Sequence, residues 1–268
     1  VYATVRSAAG AAALRALGLI PIRADLDRRA TLRRLTGIAN LVLHCAPPPN
    51  AGVRDGRTRR LVAALGSARM VPRRLVYIST SGVYGDCRGE SVAETRPVAP
   101  RSARARRRAD AEAALRALGR RGGVKVSILR APGIYASNRL PVERIGRGEP
   151  VLRPDDDVFT NHIHADDLAR ICCRTLWRGR SNRTYNASDD SRLRMGEYFD
   201  LVADAFGLPR PPRMSRSEAA SRLSSMTLSF MDESRQLENR RIKQELGVRL
   251  RYPDVGRGLA AMRDRGDP

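Results

Sequence analysis

The chain has 268 residues, 42% of them hydrophobic, enough to bury a full core in one large domain or two small ones. A formal charge of +22 points by itself to nucleic acid or an anionic surface, but only 4% of residues are aromatic, and Lys125 and Lys243 are the only lysines among 50 basic residues. The arginines are spread along the chain and dense only from Arg101 to Arg108, so a nucleic-acid partner is not expected, and an acidic small molecule fits the charge equally well. No apolar run approaches the ~20 residues of a membrane span, so no membrane partner is expected and the location expected is cytoplasmic.

In chain order, strand-like runs extend from Val1 to Val5, Leu19 to Ile22, Leu41 to Cys45, Leu75 to Ser79 and Val124 to Leu129. Apolar residues at helical spacing separate most of them, from Ala8 to Leu17, Val53 to Ala68 and Ser102 to Leu118. Such β-α alternation predicts a parallel sheet with right-handed crossovers. After about Leu140 the alternation loosens. Glu143 to Gly148, Ala165 to Trp177 and Met195 to Phe206 read as helix, Asp157 to His164 and Arg183 to Ala187 as extended chain, and Pro209-Arg-Pro-Pro212 as a stiff loop, with two more helical patterns before Gly247. The division expected is 1–140 for the sheet region and 141–268 for a substrate-side segment and small, mostly helical C-terminal lobe, packed as one unit.

The most informative stretch is Leu75-Val-Tyr-Ile-Ser-Thr-Ser-Gly-Val-Tyr-Gly-Asp86, a short apolar strand that empties into hydroxyl-bearing small residues. In open α/β sheets ligands collect at such carboxyl ends. The motif resembles the one after the fifth strand in the extended short-chain dehydrogenase/reductases, the group of nucleotide-sugar epimerases and dehydratases. Further similar stretches follow in the same order: Ser127-Ile-Leu-Arg-Ala-Pro-Gly-Ile-Tyr135, Asn161-His-Ile-His-Ala-Asp-Asp-Leu168 and Thr184-Tyr-Asn-Ala-Ser-Asp189. The stretch from Glu233 to Gly247, followed by Leu250-Arg-Tyr-Pro253, is similar to an atypical bacterial subgroup of uncharacterised NAD(P)-binding proteins.

The resemblance implies a Rossmann-like, doubly wound α/β sheet that binds NAD(P). Such folds open with a strand, a glycine-rich turn and a helix whose backbone N–H groups approach the pyrophosphate. Here no such turn occurs, and Val1 to Arg6 resembles the second strand, so the first β-α unit is expected to be missing and ladder edges to be left exposed, with an unstable or aggregation-prone chain as the consequence. Arg6 and Ser7 then end the second strand. An arginine there accommodates a 2′-phosphate, which favours NADP over NAD, unless Arg6 is one more surface charge. Asp25 and Leu26 match the adenine side, Ala46, Pro47 and Pro48 the loop along pyrophosphate and ribose, and Ser79 and Pro132 further cofactor contacts.

For catalysis the resemblance implies a hydroxyl after the fifth strand and a Tyr-x-x-x-Lys pair on the next helix, where lysine lowers the tyrosine pKa for proton transfer. Thr80 falls at the hydroxyl position, with Ser81 beside it, or else caps local backbone. Arg104 and Arg108 stand where the tyrosine and lysine belong; arginine is no general acid near neutral pH, and the run reads equally as a solvated helix face. Tyr135 and His162 fall on the substrate side, Tyr135 fitting a packed aromatic as well. His162 and His164 share a face of an extended stretch without an evident third ligand, and Cys45, Cys87, Cys172 and Cys173 lack C-x-x-C spacing, so no metal is expected. Two readings follow: an NAD(P)-dependent epimerase/dehydratase-like oxidoreductase acting on a small polar or nucleotide-sugar-like substrate, with a homodimer possible, or a dinucleotide-binding sensor or scaffold without turnover.

Overall fold

The computed structural model describes residues 1–222, 228 and 231–265. Its strands and helices in chain order are β1 (Tyr2–Val5), α1 (Ala8–Ala16), β2 (Ile20–Arg23), β3 (Leu41–His44), α2 (Gly56–Gly66), β4 (Arg74–Thr80), β5 (Ser91–Val92), α3 (Ala103–Arg120), β6 (Lys125–Ala131) and β7 (Gly133–Tyr135). There follow α4 (Val142–Gly146), β8 (Val151–Leu152), β9 (Phe159–Thr160), β10 (His162–His164), α5 (Ala165–Arg178), β11 (Arg183–Asn186), β12 (Leu193–Arg194), α6 (Met195–Ala205), β13 (Arg213–Met214), α7 (Arg216–Arg222), β14 (Gln236–Leu237), α8 (Arg240–Gln244) and α9 (Val255–Asp264). The β-α alternation read from the sequence is present from β1 to β6. Of the helical patterns expected before Gly247, the part at 223–227 and 229–230 lies outside the described residues.

The chain divides into two compact units that are discontinuous in sequence. Unit 1 takes 1–79, 103–128 and 175–183; unit 2 takes 80–102, 129–174 and 184–268. The chain leaves the first unit after β4, returns for α3 and most of β6, and returns again at the end of α5.

Unit 1 begins with β1 and β2 in parallel, Tyr2 opposite Ile20 and Val5 opposite Arg23. The helix between them is Ala-rich, starts where the Ser7 hydroxyl accepts the Gly10 N–H at 3.1 Å, and stops at Gly18, whose φ of 72° suits a left-handed cap. A second sheet runs in the order β11-β6-β4-β3, with β3 and β4 parallel, Leu41 opposite Arg74. Leu75 and Tyr77 on β4, Leu61 and Leu65 on α2, Ala111, Leu115 and Leu118 on α3, and Val126 and Ile128 on β6 pack into one apolar cluster. Their burial is the main driving force for this unit, at roughly 1.5–3 kcal/mol per large side chain. Asp55 caps α2 through the Thr58 N–H (2.9 Å), while Asp110 of α3 accepts from the Asp55 N–H and from Arg59, fastening α2 to α3.

Unit 2 has short strands in pairs and a core of Tyr135, Ile145, Tyr198, Phe199, Val202, Val255, Leu259 and Met262. β10 pairs β7 in parallel, placing His162 opposite Gly133 and His164 opposite Tyr135. Among the described residues no helix is long and apolar enough to cross a membrane.

Candidate active-site rim and its polar clusters

At the carboxyl ends of β2 and β3, Arg57 of α2 gathers two loops. Its guanidinium donates to both Asp27 oxygens (2.6–3.1 Å) and to the carbonyls of Pro47 (3.2 Å) and Pro48 (3.3 Å). Arg57 holds the Asp27 carboxyl below the usual range. Arg60 donates to the Leu26 carbonyl at 2.6 Å. Asp25 is folded into its own turn, its Oδ1 accepting the Asp27 N–H and its N–H meeting the Thr31 hydroxyl, both at 2.9 Å. Unit 1 thus brings Asp25, Leu26, Pro47 and Pro48 together around two arginines. Ala46 is half-buried in the same loop, and Arg6 and Ser7 are exposed just beyond β1.

The end of β4 is closed by α3. The Ser79 hydroxyl donates to Glu112 Oε1 at 2.7 Å, both residues buried, and Arg116 lies 3.7 Å from the other Glu112 oxygen. Arg108 points inward: it donates to the Tyr77 hydroxyl (3.0 Å) and the Ile78 carbonyl (2.9 Å), with its guanidinium over the Tyr77 ring. Burial pushes the Tyr77 phenol up to about 12 despite that cation. On the other side of the ring, His44 lies 5.1 Å away, centroid to centroid, with Nε2 2.8 Å from the Thr58 hydroxyl. Because Thr58 gives its one hydroxyl proton to Asp55 Oδ2 (2.7 Å), it must accept from His44 Nε2–H. Burial holds His44 down at about 4, so it is neutral and structural in character. Desolvation by its surroundings likewise pushes the Cys45 thiol up, although the residue as a whole is exposed.

The dense arginine run therefore does not form one solvated face. Arg104 and Arg106 are exposed, while Arg107 is buried with its guanidinium on the Gly52 carbonyl (2.6 Å) and Arg108 reaches β4. One turn of a helix separates these fates, and residue type alone does not reveal them.

In unit 2 the Thr80 hydroxyl accepts the Gly82 N–H at 3.2 Å and caps the tight turn Ser81–Tyr84, in which Ser81 is buried. Pro132 is half-buried. Tyr135 is buried, donating to the Asp254 carbonyl at 3.4 Å and lying edge-on to His164. His162 stacks on Tyr198 at 4.1 Å and is held by burial at about 4.

Three asparagines absent from the sequence-derived site join the later motifs together. Asn186 accepts from the Tyr84 hydroxyl (2.8 Å) and donates to the carbonyls of Val92 (3.0 Å) and Glu238 (3.1 Å), and its N–H is held by Glu94 (3.0 Å). Asn161 pairs with the backbone of Arg235 and Leu237, and Asn239 with the carbonyls of Ser188 and Asp189. Asp167, fully buried, accepts the N–H groups of Arg251 (2.9 Å) and Tyr252 (2.8 Å).

Comparison with known proteins followed the same line. Residues 2–188 match the profile of the NAD dependent epimerase/dehydratase family. A curated dTDP-glucose 4,6-dehydratase of Actinoplanes sp. is 27% identical over 197 residues, which are 70% of this chain but 58% of that enzyme, so the chain spans less than two thirds of it. Among solved structures, a functionally unknown conserved protein from Silicibacter pomeroyi is 29% identical with a TM-score of 0.78, covering 99% of this chain and 90% of that one. MoeE5, solved in complex with UDP-glucuronic acid and NAD, is 26% identical with a TM-score of 0.72, covering 92% and 86%.

Proposed function

Since the chain belongs to the NAD dependent epimerase/dehydratase family, we propose that it is a dinucleotide-binding oxidoreductase acting on a nucleotide-sugar-like substrate, with NADP preferred over NAD. The carrying observation is the rim of unit 1, where the ends of β2 and β3 are drawn together by Arg57 and Arg60 and the end of β4 is closed by Glu112 and Arg108. The MoeE5 complex, with a nucleotide sugar and NAD bound to a similar chain, supports the substrate class.

The residues present fit the adenosine half of a dinucleotide and not its pyrophosphate. Arg6 is exposed and uncommitted to a carboxylate in any described pair, as a 2′-phosphate ligand must be, and the Asp25–Leu26 turn and the Pro47–Pro48 loop are braced. No glycine-rich turn is available among the described residues to bring backbone N–H groups to the diphosphate. When bound, the dinucleotide supplies hydride uptake and return. The protein's own part is positional: Glu112 accepts the Ser79 O–H hydrogen bond, so the Ser79 oxygen is left to accept, and Arg108 fixes the Ile78 carbonyl beside it.

Proton transfer needs a group other than the family's phenol and lysine. By the resemblance of the helix motif, Arg104 and Arg108 stand where that pair belongs, and Tyr77 keeps its proton at neutral pH. The second reading, a dinucleotide-binding sensor or scaffold without turnover, rests on that replacement. Calorimetry with NADPH and NADH separates the possibilities. NADPH is expected to bind more tightly, with Arg6→Asp abolishing the preference. Equal affinities would remove the NADP assignment, and no binding of either would remove the dinucleotide reading. Appearance of reduced nicotinamide with UDP-glucuronic acid as probe would exclude the scaffold.

A further inference from the structure

Arginines that are spread along the sequence need not be spread in space. At the amino ends of β4 and β6, opposite the carboxyl ends where ligands of open α/β sheets collect, three segments of unit 1 come together. The Lys125 N–H donates to the Arg73 carbonyl at 2.9 Å, and Gly123 lies so near Val71 that a Cβ on it would stand 3.3 Å from Val71 Cγ2. The end of α5 is tied to both of these segments. Arg74 donates to the Gly179 carbonyl, the Ser127 hydroxyl to that of Arg180 at 3.0 Å, and Arg116 to that of Asn182 at 3.4 Å. Residues 66–74, 116–127 and 175–183 therefore form one end of the unit.

The three segments contain no Asp or Glu. Arg69, Arg73, Arg120, Arg121, Lys125 and Arg178 are exposed there, and none of the six is ion-paired to a carboxylate among the described residues. The arginines at the carboxyl ends behave otherwise, Arg57 and Arg60 being engaged by Asp27 and Arg59 by Asp110. Two large apolar side chains stand in the same segments, Met70 at 65% and Trp177 at 72% exposed. Gathering like charges costs free energy that an anion among them would offset. An indole in water beside uncommitted guanidinium groups is the composition that holds a nucleic-acid strand, with cations for the phosphates and a π-face for a base.

We propose that this end of unit 1 is a binding surface for single-stranded nucleic acid, with phosphates on the arginines and Lys125 and an unpaired base stacked on Trp177. A duplex offers the same phosphates but keeps its base faces stacked on one another, which would leave the indole idle. An anionic bilayer is met by an apolar face driven into it, and Met70 and Trp177 are the only large apolar side chains exposed in the three segments. The surface lies at the opposite end of the strands from the rim proposed for the dinucleotide and does not depend on what binds there.

Trp177 is the only tryptophan of the chain, so its fluorescence reports this end alone. Titration of the 268-residue chain with single strands of about 12 nucleotides, oligouridylate and oligothymidylate in parallel, is expected to quench it, and the difference between the two strands shows whether the 2′-hydroxyl is read. Log affinity should fall against log salt with a slope of about −3 to −4, as for about five phosphates. Arg73→Ala, Arg121→Ala and Arg178→Ala combined should lower the affinity about tenfold or more and reduce the magnitude of the slope by about 2. Trp177→Ala should weaken binding on the order of tenfold while keeping the slope, as read by polarisation of a labelled strand. Arg28→Ala, Arg29→Ala and Arg54→Ala combined remove the same charge from exposed positions beyond the carboxyl ends of β2 and β3 and should change neither quantity. An equal loss in that variant would mean that net charge alone binds the strand, and would overturn the proposal. So would quenching by a duplex as strong as by the single strands, or quenching by phosphatidylglycerol vesicles and not by the strands.

Discussion

Asp189 shows how much one side chain can set the pH response. It is buried, its Oδ1 accepts the Ser191 N–H at 2.9 Å, its Oδ2 has no hydrogen-bond partner among the described residues, and Asp190 and Asp254 add negative charge nearby. Burial raises its carboxyl to about 8, so the folded protein holds a proton that the unfolded chain releases near 4. Between those values the native state binds more protons, so stability falls as pH rises, by about 1.4 kcal/mol per pH unit. Asp189→Asn is expected to flatten the decline of the melting temperature between about pH 5 and about pH 8. An unchanged slope in the variant would show that another group carries it. Asn186 is the contrasting case, since its amide is fully used. Asn186→Ala strands the Tyr84 hydroxyl and the carbonyls of Val92 and Glu238, and should cost roughly 3 kcal/mol or more in urea unfolding.

Among the elements, α3 has the strongest consequences for unit 1. Leu115 is fully buried between β4 and β6 neighbours, and Leu115→Ala should destabilise by about 2–5 kcal/mol by chemical denaturation. Arg108→Met, of similar length, should keep that packing but take the donor from the buried Tyr77 hydroxyl and from the Ile78 carbonyl, so a loss of roughly 1–3 kcal/mol by chemical denaturation is expected, with the Tyr77 phenol raised further. The helix and its core positions were legible in the sequence because apolar spacing is a local signal. So were β1 to β4 and β6 and the loops at their carboxyl ends. What local spacing could not reveal were contacts made across long separations: Tyr84 with Asn186, 102 residues apart, and Ser79 with Glu112. Nor could it distinguish inward Arg107 and Arg108 from outward Arg104 and Arg106, because a long arginine stem lets the charged head reach a carbonyl from either kind of position. Of the short strands of unit 2, β9 and β10 lie in the stretch read as extended, while β5, β7, β8, β12, β13 and β14 escaped for the related reason that two or three residues carry no period.

Over the whole molecule, 50 basic residues face only 28 carboxylates, and many of those carboxylates are engaged by arginine. Asp27 with Arg57, Asp110 with Arg59, Asp204 with Arg210 and Glu149 with Arg144 all have carboxyls held below their usual range. A depressed carboxyl contributes stability above its unfolded pKa near 4 and loses it as pH falls, so this set acts in the direction opposite to Asp189. Acidification also removes the negative charge that partly offsets the arginines, and the chain then repels itself. The melting temperature should therefore pass through a maximum on the mildly acidic side, with two limbs of different origin. The acid limb is made by exposed charges and is screened by salt, whereas the limb above the maximum comes from a buried carboxyl and is not. Raising the salt to about 0.5 M should lift the melting temperature at about pH 3.5 and leave the slope from about pH 6 to about pH 8 unchanged. Salt-sensitive loss on the alkaline side would mean that surface charge, rather than Asp189, limits the fold there.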